Sequence, residues 1–281
     1  MKLPGIDHPL VLLRDIEAGR AFYASLGFTL TPVGKHPWGT STSLAVLERS
    51  ALELMGIYDE SLIDAMDVGG FKFGRHMRDA LAEREGIALI ALHPGQGAAE
   101  DGEAMAAHGL PYQGHLGFRR KVKPPGRDWD EAVVSLGMLV DPALPRVSHF
   151  VAQQHKPELL WVPEWMQHAN GATHIAAVTY WAPQPEAALN RLTAMFGPAV
   201  AVPGGHAVQT GQGVFRVLTD WAPEFGDAPR PNVVGPAAVN IDFAVPDLSK
   251  VAAVATIATP GGLAVPDIAS AGNVLVRFVA A

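Results

Sequence analysis

The 281-residue sequence contains no cysteine, and that absence removes several chemistries at once. Disulfide staples, thiolate nucleophiles and cysteine-ligated zinc all need a sulfur that the chain does not have. Positive charge is also scarce: 21 Lys and Arg stand against 28 Asp and Glu, for a net charge of −7. A chain of that balance has no excess of cations to neutralise phosphates, so nucleic acid is not an expected partner. The one basic cluster, Arg119, Arg120, Lys121, Lys123 and Arg127, falls in an expected strand and turn and reads as a solvated face. Long apolar runs are missing too. Pro, Gly or a charged residue interrupts each one short of the roughly 20 residues that a membrane-spanning helix needs. The opening Met1–Gly5 lacks the apolar stretch of a secretory signal. The expectation is a cytoplasmic monomer or homodimer with a small-molecule substrate and neither nucleic acid nor membrane as partner.

Familiar catalytic signatures are absent as well. There is no GxxxxGK phosphate loop, no HExxH and no GxSxG elbow. Gly95-Gln96-Gly97-Ala98-Ala99-Glu100 follows an expected strand and precedes a helix, but it lacks the third glycine of a dinucleotide loop.

What is present is a globular composition, 48% hydrophobic and 17% charged, arranged in a recurring order. Residues 6–13 read as a buried strand, and Asp15 is placed to cap a helix over 16–26. Ala18, Phe22 and Leu26 make its apolar stripe, Glu17 sits in its first turn, and Gly27 follows as a C-terminal stop. Extended segments at 29–33, 41–47 and 51–57 complete a βαβββ unit. The order returns with a strand at 87–92, a helix at 98–107 and strands at 115–122, 132–140 and 147–154. It returns again from His174, with a helix at 185–196 and strands at 199–202, 206–209 and 214–218. A fourth, trimmed copy starts at 238–243, has Asp247 as a cap, and ends at 273–279. Residues 61–84 are an insertion, helical around 75–85 and able to cover the first unit. Residues 163–170, with Trp161 and Trp165 nearby, read as the connection between an N-terminal pair of units (1–162) and a C-terminal pair (171–281). The expected class is α+β, with βαβββ modules paired into two cupped, barrel-like mixed sheets.

The residues Asp7-His8-Pro9-Leu10-Val11-Leu12-Leu13, the Leu26-Gly27-Phe28 stop and Leu52-Glu53-Leu54-Met55 together resemble the vicinal-oxygen-chelate superfamily, in its larger glyoxalase-like, multi-module branch. In that resemblance an imidazole on the first strand and a carboxylate on the last strand form half of a divalent metal site. His8 and Glu53 match those positions. A carboxylate between Leu52 and Leu54 is costly to bury unless it is paired or coordinated, which agrees with such a role. The second unit departs from that pattern: the counterpart of His8 falls near Ile87, which cannot coordinate, and its last strand offers His149, Gln153 or His155, of which His155 at the strand end is the expected third ligand, with His174 as the alternative. Asn240 and Arg277 stand where the fourth unit would need ligands, so a second complete centre is not expected. The metal would be Zn, Mn, Fe, Ni or Mg, and isomerase, lyase and dioxygenase chemistries on oxygen-rich substrates all occur on this scaffold. The loop carrying His36, Trp38 and Thr40, together with Gln153, supplies the expected substrate contacts. The incomplete ligand set also supports a second reading, a metal-free binding or sequestering protein of the same fold.

Overall fold

A computed structural model describes residues 3–281; Met1 and Lys2, at the start of the expected N-terminal pair, lie outside the described residues. The first unit runs β1 (Gly5–Leu12), α1 (Ile16–Ser25), β2 (Gly34–Lys35), β3 (Thr40–Val46) and β4 (Ala51–Ile57). The Asp15 carboxylate accepts from the backbone N–H groups of Glu17 and Ala18, and Gly27, at φ +88°, turns the chain out of the helix. The strand expected at 29–33 does not form. Pro32 has no N–H to give a ladder, and the Thr31 hydroxyl takes the Leu44 N–H while the Thr31 N–H donates to Leu44 O. Only Gly34 and Lys35 pair with β3. The insertion carries α2 (Phe73–Glu83), which buries Phe73 and Met77.

The second unit is β5 (Gly86–His93), α3 (Ala98–Ala107), β6 (Gly114–Val122), β7 (Asp130–Leu139) and β8 (His149–Gln154). A short helix α4 (Pro163–Met166) follows and buries Trp165. The third unit is β9 (His174–Trp181), α5 (Glu186–Phe196), β10 (Val200–Val202), β11 (Gly205–Gln209) and β12 (Val214–Leu218), then α6 (Ala222–Phe225). The fourth comprises β13 (Ala237–Val245), β14 (Ile257–Thr259), β15 (Gly262–Ala264) and β16 (Leu275–Ala280). Its helix is reduced to a single 3-10 turn, Leu248–Lys250, which Asp247 caps through the Ser249 N–H.

These strands make two eight-stranded sheets, ordered β2-β3-β4-β1-β5-β8-β7-β6 and β10-β11-β12-β9-β13-β16-β15-β14. In each, the two first strands lie antiparallel at the centre, and each is flanked by the last strand of its own unit in parallel. The first sheet curls until β2 meets β6. Side chains alternate across it. Val11, Leu52 and Leu54 go outward into a core shared with Tyr23 of α1, with Ala188 and Leu192 of α5, and with Ile175, Phe243 and Phe278 of the second sheet. Leu10, Leu12, Met55, Leu136 and Phe150 go inward. The two sheets are fastened back to back: the Tyr23 hydroxyl donates to Ala271 O at 3.0 Å, and the Phe28 and Phe243 rings lie 4.8 Å apart.

The repeats agree to the residue. In the first sheet Leu10 faces Glu53 on one side and Leu89 on the other, while Ala91 faces His8 and Phe150. Superposing the second unit on the first therefore puts Leu89 at the place of His8 and Phe150 at the place of Glu53. In the second sheet Thr179 faces Arg216 and Asn240, and Asp242 faces Ala177 and Arg277, with register breaks at matching points. Ala177 thus takes the His8 position, Arg216 that of Glu53, Asn240 that of Leu89, and Arg277 that of Phe150. A turn recurs in the same way. Gly39 and Gly204, both at φ +80°, accept from the N–H of Asp59 and Asp220 respectively. A Cβ there would lie 2.2 Å from Asp59 O or 2.4 Å from Asp220 O, so both positions require glycine.

Candidate functional site

The inward face of the first sheet encloses a cup of about 50 Å³. Trp38, Phe73, Phe118 and Phe150 form its aromatic wall. Trp38 lies 4.8 Å, ring to ring, from both Phe73 and Phe118, and Phe150 stands edge-on to the His8 ring at 6.0 Å. Residue α2 Phe73, from the insertion, closes this wall. Past Asp7, Gln154 and Trp161 the cup adjoins an open groove of about 700 Å³, lined also by His93, Arg49 and Gln212.

His8 and Glu53 meet inside the cup, as strand alternation requires of an even position on β1 beside an odd position on β4. His8 Nε2 lies 3.2 Å from Glu53 Oε2. The other carboxylate oxygen, Oε1, accepts from the Thr42 hydroxyl at 2.6 Å. The second nitrogen of His8, Nδ1, lies 3.1 Å from Asp7 Oδ1, and Asp7 Oδ2 is 3.2 Å from His93 Nδ1. A chain of alternating imidazoles and carboxylates thus runs from the groove to the interior. Burial alone would push the His8 imidazole down, but Asp7 and Glu53 on its two nitrogens raise it to about 10. Burial would likewise raise Glu53, yet the His8 hydrogen bond and charge, with His36 and Thr42, hold it at about 2. Asp7 is also lowered, against its burial, by His8 and His93. At neutral pH the three groups are Asp7⁻, His8⁺ and Glu53⁻.

The two expected donors are therefore within 3.2 Å, close enough to share one cation with bonds near 2.0–2.2 Å. The remaining donors are not there. Leu89 and Phe150 occupy the two equivalent positions of the second unit, and neither can coordinate. His155 does not supply the third ligand: the residues of β8 that face the cup are Phe150, Ala152 and Gln154, so His155 falls on the opposite face, where Nε2 bonds the Ser135 hydroxyl at 2.8 Å. His174 does not either. It sits on the other sheet at the register position of Gly5, with Nδ1 on the Thr173 hydroxyl. Among the described residues no group of three or more His, Cys, Asp or Glu is arranged to hold a metal ion. The donor set does not fit the metal that the resemblance implies.

Of the expected substrate contacts, His36 and Trp38 line the cup, their rings stacked 5.0 Å apart. Burial pushes the His36 imidazole down to about 4, Glu53 opposing and Arg120 and His8 adding to the effect, so it is neutral at pH 7. Thr40 is buried behind them and bonds His36 Nδ1 at 2.9 Å. Gln153 points outward, its side-chain oxygen accepting from the Ala98 N–H, and its neighbour Gln154 enters the cup instead. Sequence reasoning passed over Asp7, Gln154 and Arg120. Arg120 had a legible signal: in β6 the inward stripe is Leu116, Phe118, Arg120, Val122, one cation in an otherwise apolar set.

The second sheet's interior is filled rather than cupped. Arg277 donates to both Asp242 oxygens at 2.8 and 2.6 Å and to Glu224 at 2.6 Å, and Arg216 donates to Asp242 at 2.6 Å. Two arginines and two carboxylates there compensate one another beneath Trp221 and Phe225.

Comparison with known proteins gives the same architecture. A family model described as a glyoxalase-like domain matches residues 6–196. No curated protein matches the chain. A hypothetical protein from Staphylococcus aureus superposes with a TM-score of 0.71 at 11% identity, covering 99% of this chain and 100% of that one. A variant of 4-hydroxymandelate synthase from Streptomyces coelicolor gives 0.54 at 12% identity, covering 100% of this chain and 93% of that one. A variant of homoprotocatechuate 2,3-dioxygenase from B. fuscum gives 0.51 at 12% identity, over 99% and 72%. At these identities the likeness is one of fold.

Proposed function

The chain belongs to the glyoxalase-like family, and we propose that its N-terminal cup is a metal-independent binding site for a small organic molecule, with His8 and Glu53 as its polar pair. The observation that carries this reading is the pairing of a complete half-site with Leu89 and Phe150 at the two remaining ligand positions. The state of the pair supports binding over proton-transfer catalysis. A general acid or base works best with a pKa near the operating pH. Glu53, held at about 2, is a weak base, and His8, raised to about 10, is a weak acid. Locked together, they orient a ligand by charge and hydrogen bonding. The aromatic wall supplies apolar contact and excludes water.

The test is a ligand-observed NMR screen of small organic fragments against the protein in excess EDTA, repeated with Ala152→Trp. Ala152 lines both cup and groove, and an indole there fills the passage. Fragments should bind in EDTA, lose binding in the variant, and be recovered unchanged after long incubation. Binding that needs an added divalent ion, or conversion of the fragment, contradicts the proposal.

A further inference from the structure

The polar groups of the cup are out of balance, and the imbalance points to a ligand class. Both oxygens of Glu53 are engaged, one by Thr42 and one by His8. Two donors are left over. The indole N–H of Trp38, a side chain only 1% exposed, has no hydrogen-bond partner among the described residues. The Arg120 guanidinium is half-buried and likewise makes no hydrogen bond or ion pair among the described residues. Arg119 pairs with Glu131, and Lys123 lies over the Trp129 ring. Arg120 alone of the basic cluster lines the cup; with Lys121 and Lys123 it also lines an adjoining groove of about 290 Å³. A desolvated cation and a buried N–H that lack acceptors are both costly, and an incoming acceptor relieves both.

We propose that the cup takes a short-chain monocarboxylate, whose carboxylate pairs with Arg120 and accepts from Trp38 while its apolar end packs on Phe118 and Phe150. A planar carboxylate matches the fork of a guanidinium, which binds it through two parallel N–H donors. The volume sets the length. The cup is small, about 50 Å³, and its wall is closed by ring contacts of Trp38 on Phe73 and Phe73 on Phe150, so a chain of a few carbons fits it better than a long one. Neutral His36 adds no second cation, which favours a singly charged group over phosphate.

This inference rests on the cup being a binding site, and the experiment separates the two. Butyrate and its neutral isostere butyramide are titrated calorimetrically into wild type, Arg120→Gln, Arg120→Lys, Trp38→Phe and Ala152→Trp. Butyrate should bind wild type more tightly than butyramide does. Arg120→Gln should weaken butyrate by about ten- to a hundredfold, the range for a hydrogen bond to a charged group, and leave butyramide nearly unchanged. Arg120→Lys should fall between, and Trp38→Phe should lose butyrate affinity to a smaller degree. Octanoate should bind more weakly than butyrate. If butyramide binds and Ala152→Trp abolishes it while butyrate is indifferent to Arg120, the carboxylate assignment is overturned and the cup reading stands. Inorganic phosphate binding in preference to butyrate also overturns it. If neither probe nor any fragment binds wild type, both readings fall.

Discussion

Glu53→Gln isolates the electrostatics of the cup from its shape. The substitution keeps the size of the side chain and its acceptor for the Thr42 hydroxyl but removes the charge facing His8 Nε2 at 3.2 Å. Removing one partner of a buried ion pair commonly costs about 3–5 kcal/mol when the other is stranded. Here His8 is not stranded, because Asp7 still faces Nδ1 at 3.1 Å. The loss reduces to one charge-assisted hydrogen bond, about 1.5–3 kcal/mol. Its size depends on pH. The folded His8 titrates at about 10 against an ordinary 6.5, so its stabilisation is complete below pH 6.5 and fades as pH rises towards 10. The Glu53 contribution is complete above its ordinary 4.5 and fades as pH falls towards 2. Between pH 5 and 6.5 both are in force, and the variant should lag wild type most. Across the alkaline flank the gap should narrow by at most about 1.4 kcal/mol per pH unit for the one proton. Urea unfolding followed by circular dichroism at pH 6, 8 and 10 measures it. A gap of equal size at pH 6 and pH 10, or a variant more stable than wild type at pH 6, refutes the reasoning.

Other substitutions probe the repeat geometry and the second sheet. Leu89→His with Phe150→Glu places donors at the two apolar ligand positions and should create a four-donor site that binds Zn²⁺ or Mn²⁺ stoichiometrically by calorimetry, whereas either change alone, which leaves three donors, should bind more weakly. Asp242→Asn leaves Arg216 and Arg277 with Glu224 as their only carboxylate and should destabilise the fold by about 3–5 kcal/mol by urea unfolding. Gly39→Ala and Gly204→Ala should each lower the thermal midpoint, since both force a Cβ onto a carbonyl in the same recurring turn.

Much of this fold was legible in the sequence because period and punctuation agreed. Asp15 and Gly27 bracket α1, and the alternation in Leu52–Met55 puts Glu53 on the face that His8 shares. The strand at 29–33 failed because side-chain hydroxyls and Pro32 satisfied the backbone locally, a competition that hydrophobic pattern does not register. His155 misled for a different reason. Position at a strand's end fixes how far along the cup a residue lies but not which face it takes, and one residue of phase separates Gln154 inside from His155 outside. The second unit's counterpart of His8 is Leu89 rather than a residue near Ile87, because the register break between Leu10 and Val11 shifts the pairing in a way that hydrophobic pattern does not reveal. Asp7 was hidden by its own strand: it lies next to His8 in sequence, where side chains normally part, yet its carboxylate reaches back to Nδ1.

The central claim, that this cup keeps half of a metal site and works without the metal, is tested most directly by titrating Zn²⁺, Mn²⁺ and Fe²⁺ into chelator-stripped wild type and His8→Ala in parallel by calorimetry. The account predicts no binding that distinguishes the two proteins, and a purified wild type carrying far less than one divalent ion per chain by elemental analysis. A stoichiometric ion in wild type that His8→Ala or Glu53→Ala abolishes would contradict it.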